Sequence, residues 1–372
     1  MDHRTWRFLV KNRVKEGRLI RIAVVNTQVP FIKGGAELHA SNLCAALEQH
    51  GHDVVKVLIP FKWYPGSTLV DNIMAARLLD LSESTGTKID MMVGLRFPAY
   101  LAQHPNKVFW IIHQHRAAYD LWDSGHSDLL HQPDGSSLRE LIREEDRNAF
   151  RKTPYKIYAN SQNVTKRLQK YTQQPSTPLY HPPPNHKLLR QGQFGDYLFV
   201  PSRLTPGKRQ DLILEGLAQT RGPVRIVFAG APDTQSYFDY LRQKAGDLGI
   251  EDRITWLGEI SDTELIKYYA NARAVIFVPQ DEDYGYITLE AMLSGKPVIT
   301  STDSGGPLEF IRHKREGLVS KPTPKDLAQN FSHIMQDQSL AETMGAAAHE
   351  RYESMNINWA HVVNTLTGRD NG

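Results

Sequence analysis

Apolar positions along this chain fall into two alternating patterns, short runs rich in Val, Ile, Leu and Phe, and longer stretches with apolar residues at helical spacing. RIAVVN (Arg21–Asn26) reads as a strand. The loop TQVPFIKGG follows, then a helix from Ala36 to about Gln49 with Leu38, Leu43, Ala46 and Leu47 on its inner face and Gly51 at its end. DVVKVLI predicts a second strand, LVDNIMAARLLDL a second helix, and IDMMVGL and KVFWIIH further strands. A polar helix from Ser136 to Phe150, the strand KIYAN and the helix QNVTKRLQKY, with Ser161 as its N-cap, complete the first half. Strand alternating with helix predicts an α/β fold with a parallel, doubly wound sheet.

The segment His181–Asp196 (HPPPNHKLLRQGQFGD) interrupts this rhythm, because three consecutive prolines can continue neither a helix nor a central strand. Beyond it the alternation restarts. YLFVPS, VRIVFAG, ITWLG, AVIFVP and KPVIT read as strands, separated by helices at Asp211–Ala218, Ser236–Leu248, DTELIKYYANA and the end of DEDYGYITLEAMLSG. The expected division is a basic extension over residues 1–20, one domain over 21–185, a second over 186–350, and a C-terminal helix within 351–372 that packs back towards the first domain. No short repeat or low-complexity stretch is present.

Composition narrows the function classes. A formal charge of +3 over 372 residues gives no reason to expect nucleic acid as a partner. The single cysteine, Cys44, excludes an internal disulfide and a cysteine zinc cluster, and its place in an amphipathic helix reads as packing. With no run near the ~20 apolar residues of a membrane span and no apolar signal core at the N-terminus, the expected location is the cytoplasm. Residues Met1 to Arg21 hold seven Lys or Arg against Asp2 and Glu16, with Trp6, Val10 and Val14 four apart. Two readings are open there: a basic helix in peripheral contact with the inner face of an anionic membrane, or an extra helix covering the first domain with Trp6 inward.

The candidate chemistry sits where strands end. Gly34 and Gly35 precede a helix whose first N–H groups and positive dipole end suit an anion. A nicotinamide dehydrogenase is set aside, since G-x-G-x-x-G is missing and the second strand runs into Pro60 instead of an acid. Arg203 and Lys208, after YLFVPS, suit the oxygens of a diphosphate, against the bland alternative of two surface cations. His113 and His115 form a His-x-His pair, but no Cys, Asp or Glu at short spacing completes a shell, so no metal site is expected. Gly305 and Gly306 repeat the glycine-before-helix theme, with Glu309 following. Between AVIFVP and its helix lie Glu282 and Glu290, eight apart, with Tyr284, Gly285 and Tyr286 between them. Isolated, such a pair reads as solvated helix charge; at a strand end facing two glycine turns and a cationic loop it reads as a binding site.

Together these motifs resemble the family 4 retaining glycosyltransferases. The resemblance runs over nearly the whole chain from Arg21 and rests on GGAE (Gly34–Glu37), His113, SRLTPGKRQDLI (Ser202–Ile213), the Glu282–Glu290 spacing and SGGPLEFI (Ser304–Ile311). It implies the GT-B architecture, two Rossmann-like domains facing a central cleft, the second binding a nucleotide-sugar donor and the first an acceptor that could be a glycan, a lipid-linked species or a small molecule. EDYGYITLEAMLSGKPVI looks like a bacterial or archaeal surface-polysaccharide branch. By position, the resemblance assigns catalytic roles to His113, Arg203, Lys208 and Glu282, with Arg203 and Lys208 on the diphosphate and Glu282 on the donor sugar. Glu290 would hold the ribose; Gly34, Gly35, Gly230, Leu257, Ile260, Tyr284, Gly285, Tyr286 and Ile287 would line the donor site, joined by Gly305, Gly306 and Glu309. It implies no cofactor and no metal requirement. The aromatic after the first glutamate is usually Phe and here is Tyr284, so the hydroxyls of Tyr284 and Tyr286 are expected to bear on sugar selection. Two alternatives stay open: a sugar phosphorylase on the same fold, and a catalytically silent nucleotide-sugar-binding subunit of a glycan assembly complex.

Overall fold

The structure, a computed structural model, describes residues 19–31, 34–151 and 156–368. The basic segment expected to form an amphipathic helix lies outside the described residues. Two compact units are present, one comprising Met1–His181 with Asn358–Gly372, the other Pro182–Ile357.

In the first unit, strands β1 (Arg21–Gln28), β2 (Asp53–Pro60), β5 (Met91–Arg96), β6 (Lys107–His113), β7 (Lys156–Ala159) and β8 (Thr177–Pro178) form one parallel sheet in the order β2-β1-β5-β6-β7-β8. A two-stranded hairpin of β3 (Glu83–Ser84) and β4 (Thr87–Lys88) stands apart from it. Burial follows position in the sheet. Central β1 is buried from Ile22 to Thr27, whereas edge strand β2 leaves Val55 and Leu58 exposed. Strand β6 shows the period of two that divides the core, because Phe109 and Ile111 enter one apolar layer while Val108, Trp110 and Ile112 enter the other.

The helix Gly35–Gln49 covers the second layer with His39, Ala40, Leu43, Cys44, Ala46 and Leu47. Leu38, expected on this face, is 47% exposed. The buried stripe runs through His39 instead, whose Nδ1 lies 2.9 Å from His181 Nε2 and whose ring centroid is 4.2 Å from that of Trp110 at a tilt of 56°. Burial lowers His39 to about 3, so the ring is neutral and serves as packing with a hydrogen bond. Cys44 is buried and its thiol is raised to about 11 by burial. The helix Trp359–Thr367 belongs to this same layer: Asn358 caps it by accepting from the His361 N–H, and Val362, Val363 and Leu366 pack beside Leu43 and Trp110.

The second unit is a six-stranded parallel sheet of β9 (Tyr197–Val200), β10 (Arg225–Phe228), β11 (Ile254–Trp256), β12 (Ala274–Ile276), β13 (Val298–Ser301) and β14 (Gly317–Ser320). Strand β14 is an addition to the expected set. The order β11-β10-β9-β12-β13-β14 is the doubly wound nucleotide-binding order, and its direction reverses between β9 and β12. A wholly buried lysine ties the entry segment to this unit. Lys296 Nζ donates to Gln193 O at 2.7 Å and stands 3.7 Å from the Phe194 ring.

Because Val363 is fully buried against the first unit's sheet, Val363→Asp places an unpaired carboxylate in its core, at a cost of several kcal/mol. Limited proteolysis should then cut within residues 19–181 while Pro182–Ile357 resists; equal resistance of both would contradict this assignment of the C-terminal helix.

Candidate active site

The strand order reverses between β9 and β12, and in open α/β sheets ligands bind outside the carboxyl ends of the strands at such a reversal. The loop after β9 is shaped by two residues that motif reading overlooked. Gln210, fully buried, donates to Arg203 O at 2.9 Å and to Ser202 Oγ at 3.1 Å, and accepts from the Thr205 N–H at 3.3 Å. Arg209 sits in the left-handed region at φ 55° and grips Asp303 through its two terminal guanidinium nitrogens, at 2.9 and 2.7 Å. Burial alone would raise the Asp303 carboxyl, but Arg209 and the Ser301 hydroxyl outweigh it and hold it below its ordinary value.

Three loops are joined through their backbones. The Gln280 N–H donates to Gly207 O, Asp281 N–H to Asp303 O, Glu282 N–H to Ser304 O and Gly306 N–H back to Glu282 O. On this frame Lys208, at the end of a single 3-10 turn, forms an ion pair with Glu282 and stands 5.1 Å from the Phe277 ring. Lys208, Glu282, Gly305 and Gly306 therefore share one surface. Gly285, at φ 86°, caps the helix Tyr286–Leu293, and a Cβ there would meet Phe277 and Pro307 at 3.1 Å. At Gly306 a Cβ would fall 2.6 Å from Tyr284 O.

Other expected residues are placed differently. Arg203 is exposed and pairs with Asp233 at 2.8 Å, after β10. Tyr284 is only 4% exposed, its ring packed edge-on against Phe310 and Tyr286. Glu290, one turn into its helix, accepts from the Tyr269 hydroxyl at 2.6 Å, and burial raises its carboxyl to about 7. Ile287 is its half-buried neighbour on the same helix. Glu309 lies in the four-residue helix Pro307–Phe310, where its carbonyl accepts from Arg351.

Beside Arg203 lies a cavity of about 360 Å³ whose walls include Leu204, Gly230, Trp256, Leu257 and Gly258. Gly230 is required there, because at φ 146° a Cβ would sit 2.2 Å from Ser202 O. The Phe228 and Trp256 rings stack at 4.4 Å, giving the cavity a flat aromatic side. Ile260 falls outside this lining, half-buried ahead of the helix Asp262–Asn271.

In the first unit Gly34 and Gly35 do open a helix, but the chain's own carboxylate caps it. Glu37 accepts from the Gly34 N–H at 2.9 Å and pairs with Arg96 at 3.1 Å. His113, at the end of β6, donates from Nδ1 to Gln114 O at 2.7 Å, which fixes a proton on that nitrogen. Behind it the buried Asp146 accepts from Tyr100 and Tyr119 hydroxyls at 2.6 and 2.7 Å and from the Gln114 amide at 3.3 Å. His115 turns the other way, between the Phe61 and Phe97 rings, and burial lowers it to about 4. The His-x-His pair is thus split, and among the described residues no group of three or more His, Cys, Asp or Glu could hold a metal ion.

Comparison with known proteins meets this geometry in the second unit. Residues 190–351 match the model of the glycosyl transferases group 1. The chain is similar to the alpha-1,3/1,6-mannosyltransferase ALG2 of Dictyostelium discoideum, with 32% identity over 141 residues, 37% of this chain and 33% of that protein. It is also similar to the GDP-mannose-dependent alpha-(1-6)-phosphatidylinositol monomannoside mannosyltransferase of Mycobacterium tuberculosis H37Rv, with 32% identity over 162 residues, 40% of each chain. The chain thus spans between a third and two fifths of the length of these relatives. Among solved structures, Anabaena HepE in complex with UDP and glucose aligns with a TM-score of 0.68 at 18% identity, over 94% of this chain and 99% of that one. Sucrose-phosphate synthase from Thermosynechococcus elongatus aligns with a TM-score of 0.73 at 16% identity, over 94% and 98%. The fold is GT-B, with one Rossmann-like parallel sheet in each unit.

The raised Glu290 carboxyl carries a pH signature. Its folded pKa of about 7 exceeds the ordinary 4.5, so its contribution to stability is fully present below pH 4.5 and is lost as pH rises through 7. Glu290→Gln should therefore stabilise the free protein by up to ~3 kcal/mol at pH 8 and leave it unchanged below pH 4.5. Thermal melts across that range check this; an equal or lower melting temperature for the variant at pH 8 would refute it.

Proposed function

We propose that the protein is a retaining glycosyltransferase that moves a hexose from a nucleoside-diphosphate sugar to an acceptor hydroxyl. The observation that carries this reading is the Lys208–Glu282 ion pair, set at the β9/β12 reversal of the unit that matches the group 1 glycosyl transferases. In the free protein each charge is satisfied by the other. A diphosphate sugar offers a better exchange, phosphate oxygens for Lys208 and hydroxyl donors for Glu282, and so would divide the pair between two parts of one ligand. The cavity holding Gly230, Trp256 and Leu257 lies beside Arg203 and suits a flat base, while Glu290 suits the ribose hydroxyls.

Bond-breaking leaves charge on the diphosphate. Arg203 and Lys208 would stabilise it, the leaving phosphate would take the acceptor proton, and attack from the face of departure would retain configuration without a carboxylate nucleophile. This scheme calls on cationic side chains and on no metal. Names of the mannosyltransferase relatives favour a mannose-type donor, and the UDP and glucose bound by HepE keep uridine donors in view. A role in surface-polysaccharide or glycoconjugate synthesis, and action in the cytoplasm, belong to the same proposal. Among the described residues no helix is long and apolar enough to cross a membrane.

A thermal-shift and hydrolysis screen over UDP-, GDP-, ADP- and dTDP-sugars should single out one donor, and no response to any would overturn the reading. With that donor, Arg203→Ala and Lys208→Ala should each lower kcat by about 10²–10³ with a smaller change in KM, because the charge they meet develops in the transition state. A loss confined to KM would show that they bind the ground state only. Glu290→Gln should weaken donor binding by roughly tenfold or more, as a hydrogen bond to a charged group is lost.

A further inference from the structure

Two adjacent cations stand on the loop after β9, each paired with a carboxylate from a different loop. Lys208 donates to Glu282 Oε2, after β12, and Arg209 meets Asp303, after β13. The second pair is the firmer. Its two parallel hydrogen bonds, at 2.9 and 2.7 Å, have bidentate charge-assisted geometry, and Asp303 Oδ1 also accepts from the Ser301 hydroxyl at 2.9 Å.

Arg209 occupies a backbone position that suits glycine. Its φ of 55° and ψ of 44° lie in the left-handed region, where a side chain is strained and glycine is not. The residue closes the 3-10 turn Pro206–Lys208 and opens the helix Gln210–Ala218, whose Ile213, Leu214 and Leu217 are buried in the core. Beyond Arg209 the backbone is thus anchored. Before it the turn stands in open space, since a Cβ at Gly207 would meet nothing within 4 Å. What an arginine supplies at this joint, and a glycine cannot, is the reach to Asp303.

The two ion pairs are coupled through the backbone. Arg209 follows Lys208 in the chain, and the Asp303 carbonyl accepts from the Asp281 N–H at 2.9 Å, one residue before Glu282. Each end of the Arg209–Asp303 pair therefore stands one residue from an end of the Lys208–Glu282 pair. A ligand that gives phosphate oxygens to Lys208 and hydroxyls to Glu282 dissolves the direct attraction between those two side chains. Arg209 and Asp303 stay joined through that exchange, because their hydrogen bonds are to each other and to Ser301.

We propose that Arg209 and Asp303 are a positioning pair, which keeps Lys208 in register with the Asp281–Glu282 loop after a ligand has parted Lys208 from Glu282, and which touches no ligand itself. The effect on turnover rests on the glycosyl-transfer reading; the tie between the loops does not. Hydrogen exchange followed by mass spectrometry reads that tie without any donor. Arg209→Gly keeps the left-handed backbone and removes the side chain, and Asp303→Asn keeps the shape and removes the charge. In both, amide exchange within Gln280–Glu282 should quicken about tenfold or more, by local opening, while the melting temperature stays at the wild-type level. With the donor singled out by the screen, Arg209→Gly should lower kcat about tenfold and leave KM within about twofold, because a misplaced group slows the reaction more than it weakens binding. Arg209→Lys, which retains a charged contact, should recover part of that loss. On a Lys208→Ala background Arg209→Gly should lower kcat by less than about twofold, since its effect passes through Lys208. A rise in KM with kcat preserved would make Arg209 a ligand contact, and an equal loss with and without Lys208 would make its effect independent of that residue. Either result, or unaltered exchange in both folded variants, would overturn the proposal. Faster exchange in the variants of a protein that turns over no nucleotide sugar would overturn the role in turnover and leave the tie between the loops standing.

Discussion

The candidate site depends on a run of backbone hydrogen bonds that joins Gly207 to Gln280, Asp281 to Asp303, and Glu282 to Ser304 and Gly306. Three loops from distant parts of the second unit become one surface through it. Backbone pairing of this kind leaves side chains free to face a ligand, and it explains the glycines. A Cβ at Gly306 would strike the Tyr284 carbonyl, and one at Gly285 would press on Phe277 and Pro307, so the loops could not close on one another. Lys208 and Glu282 are neighbours because the frame makes them so.

Several groups around this frame are held at a cost. Arg209 and Asp281 occupy left-handed backbone conformations, and the Glu290 carboxyl is raised by burial. Each is unfavourable in a free, folded protein, and each is retained where the sheet reverses direction. Arg209 is compensated by its double hydrogen bond to Asp303, whereas Glu290 has the Tyr269 hydroxyl. A carboxylate raised by burial at the carboxyl edge where a sheet reverses is a candidate ligand contact.

The first unit is organised differently. Its carboxyl edge carries His113, whose Nδ1 donates to Gln114 O, and a helix N-terminus already satisfied by Glu37, which is itself paired with Arg96. The Lys208–Glu282 and Arg209–Asp303 pairs both lie in the second unit.

Much of this was legible in residue order. Alternating strand and helix patterns determined two parallel α/β sheets, Ser161 announced its cap by accepting from the Val164 N–H, and Lys208, Glu282 and the paired glycines stood out by type and by their place after strands. What the chain by itself could not state was which loops meet. Periodicity encodes which face of an element is apolar, but not the order of strands in a sheet. The order β11-β10-β9-β12-β13-β14 brings Arg209 to Asp303, 94 residues away, and sets the loop that the buried Gln210 shapes. Leu38 and His39 show the same limit on a smaller scale. One helical position separates them, and the decision for the histidine came from His181 and Trp110 on the opposite wall. Tyr284 read as a sugar contact by its position in a motif, and only the presence of Phe310 beside it made its ring part of the core. Local pattern determined the elements and the chemical types available; tertiary contact decided their partners, because burial, tautomer and ion pairing depend on neighbours that sequence distance does not reveal.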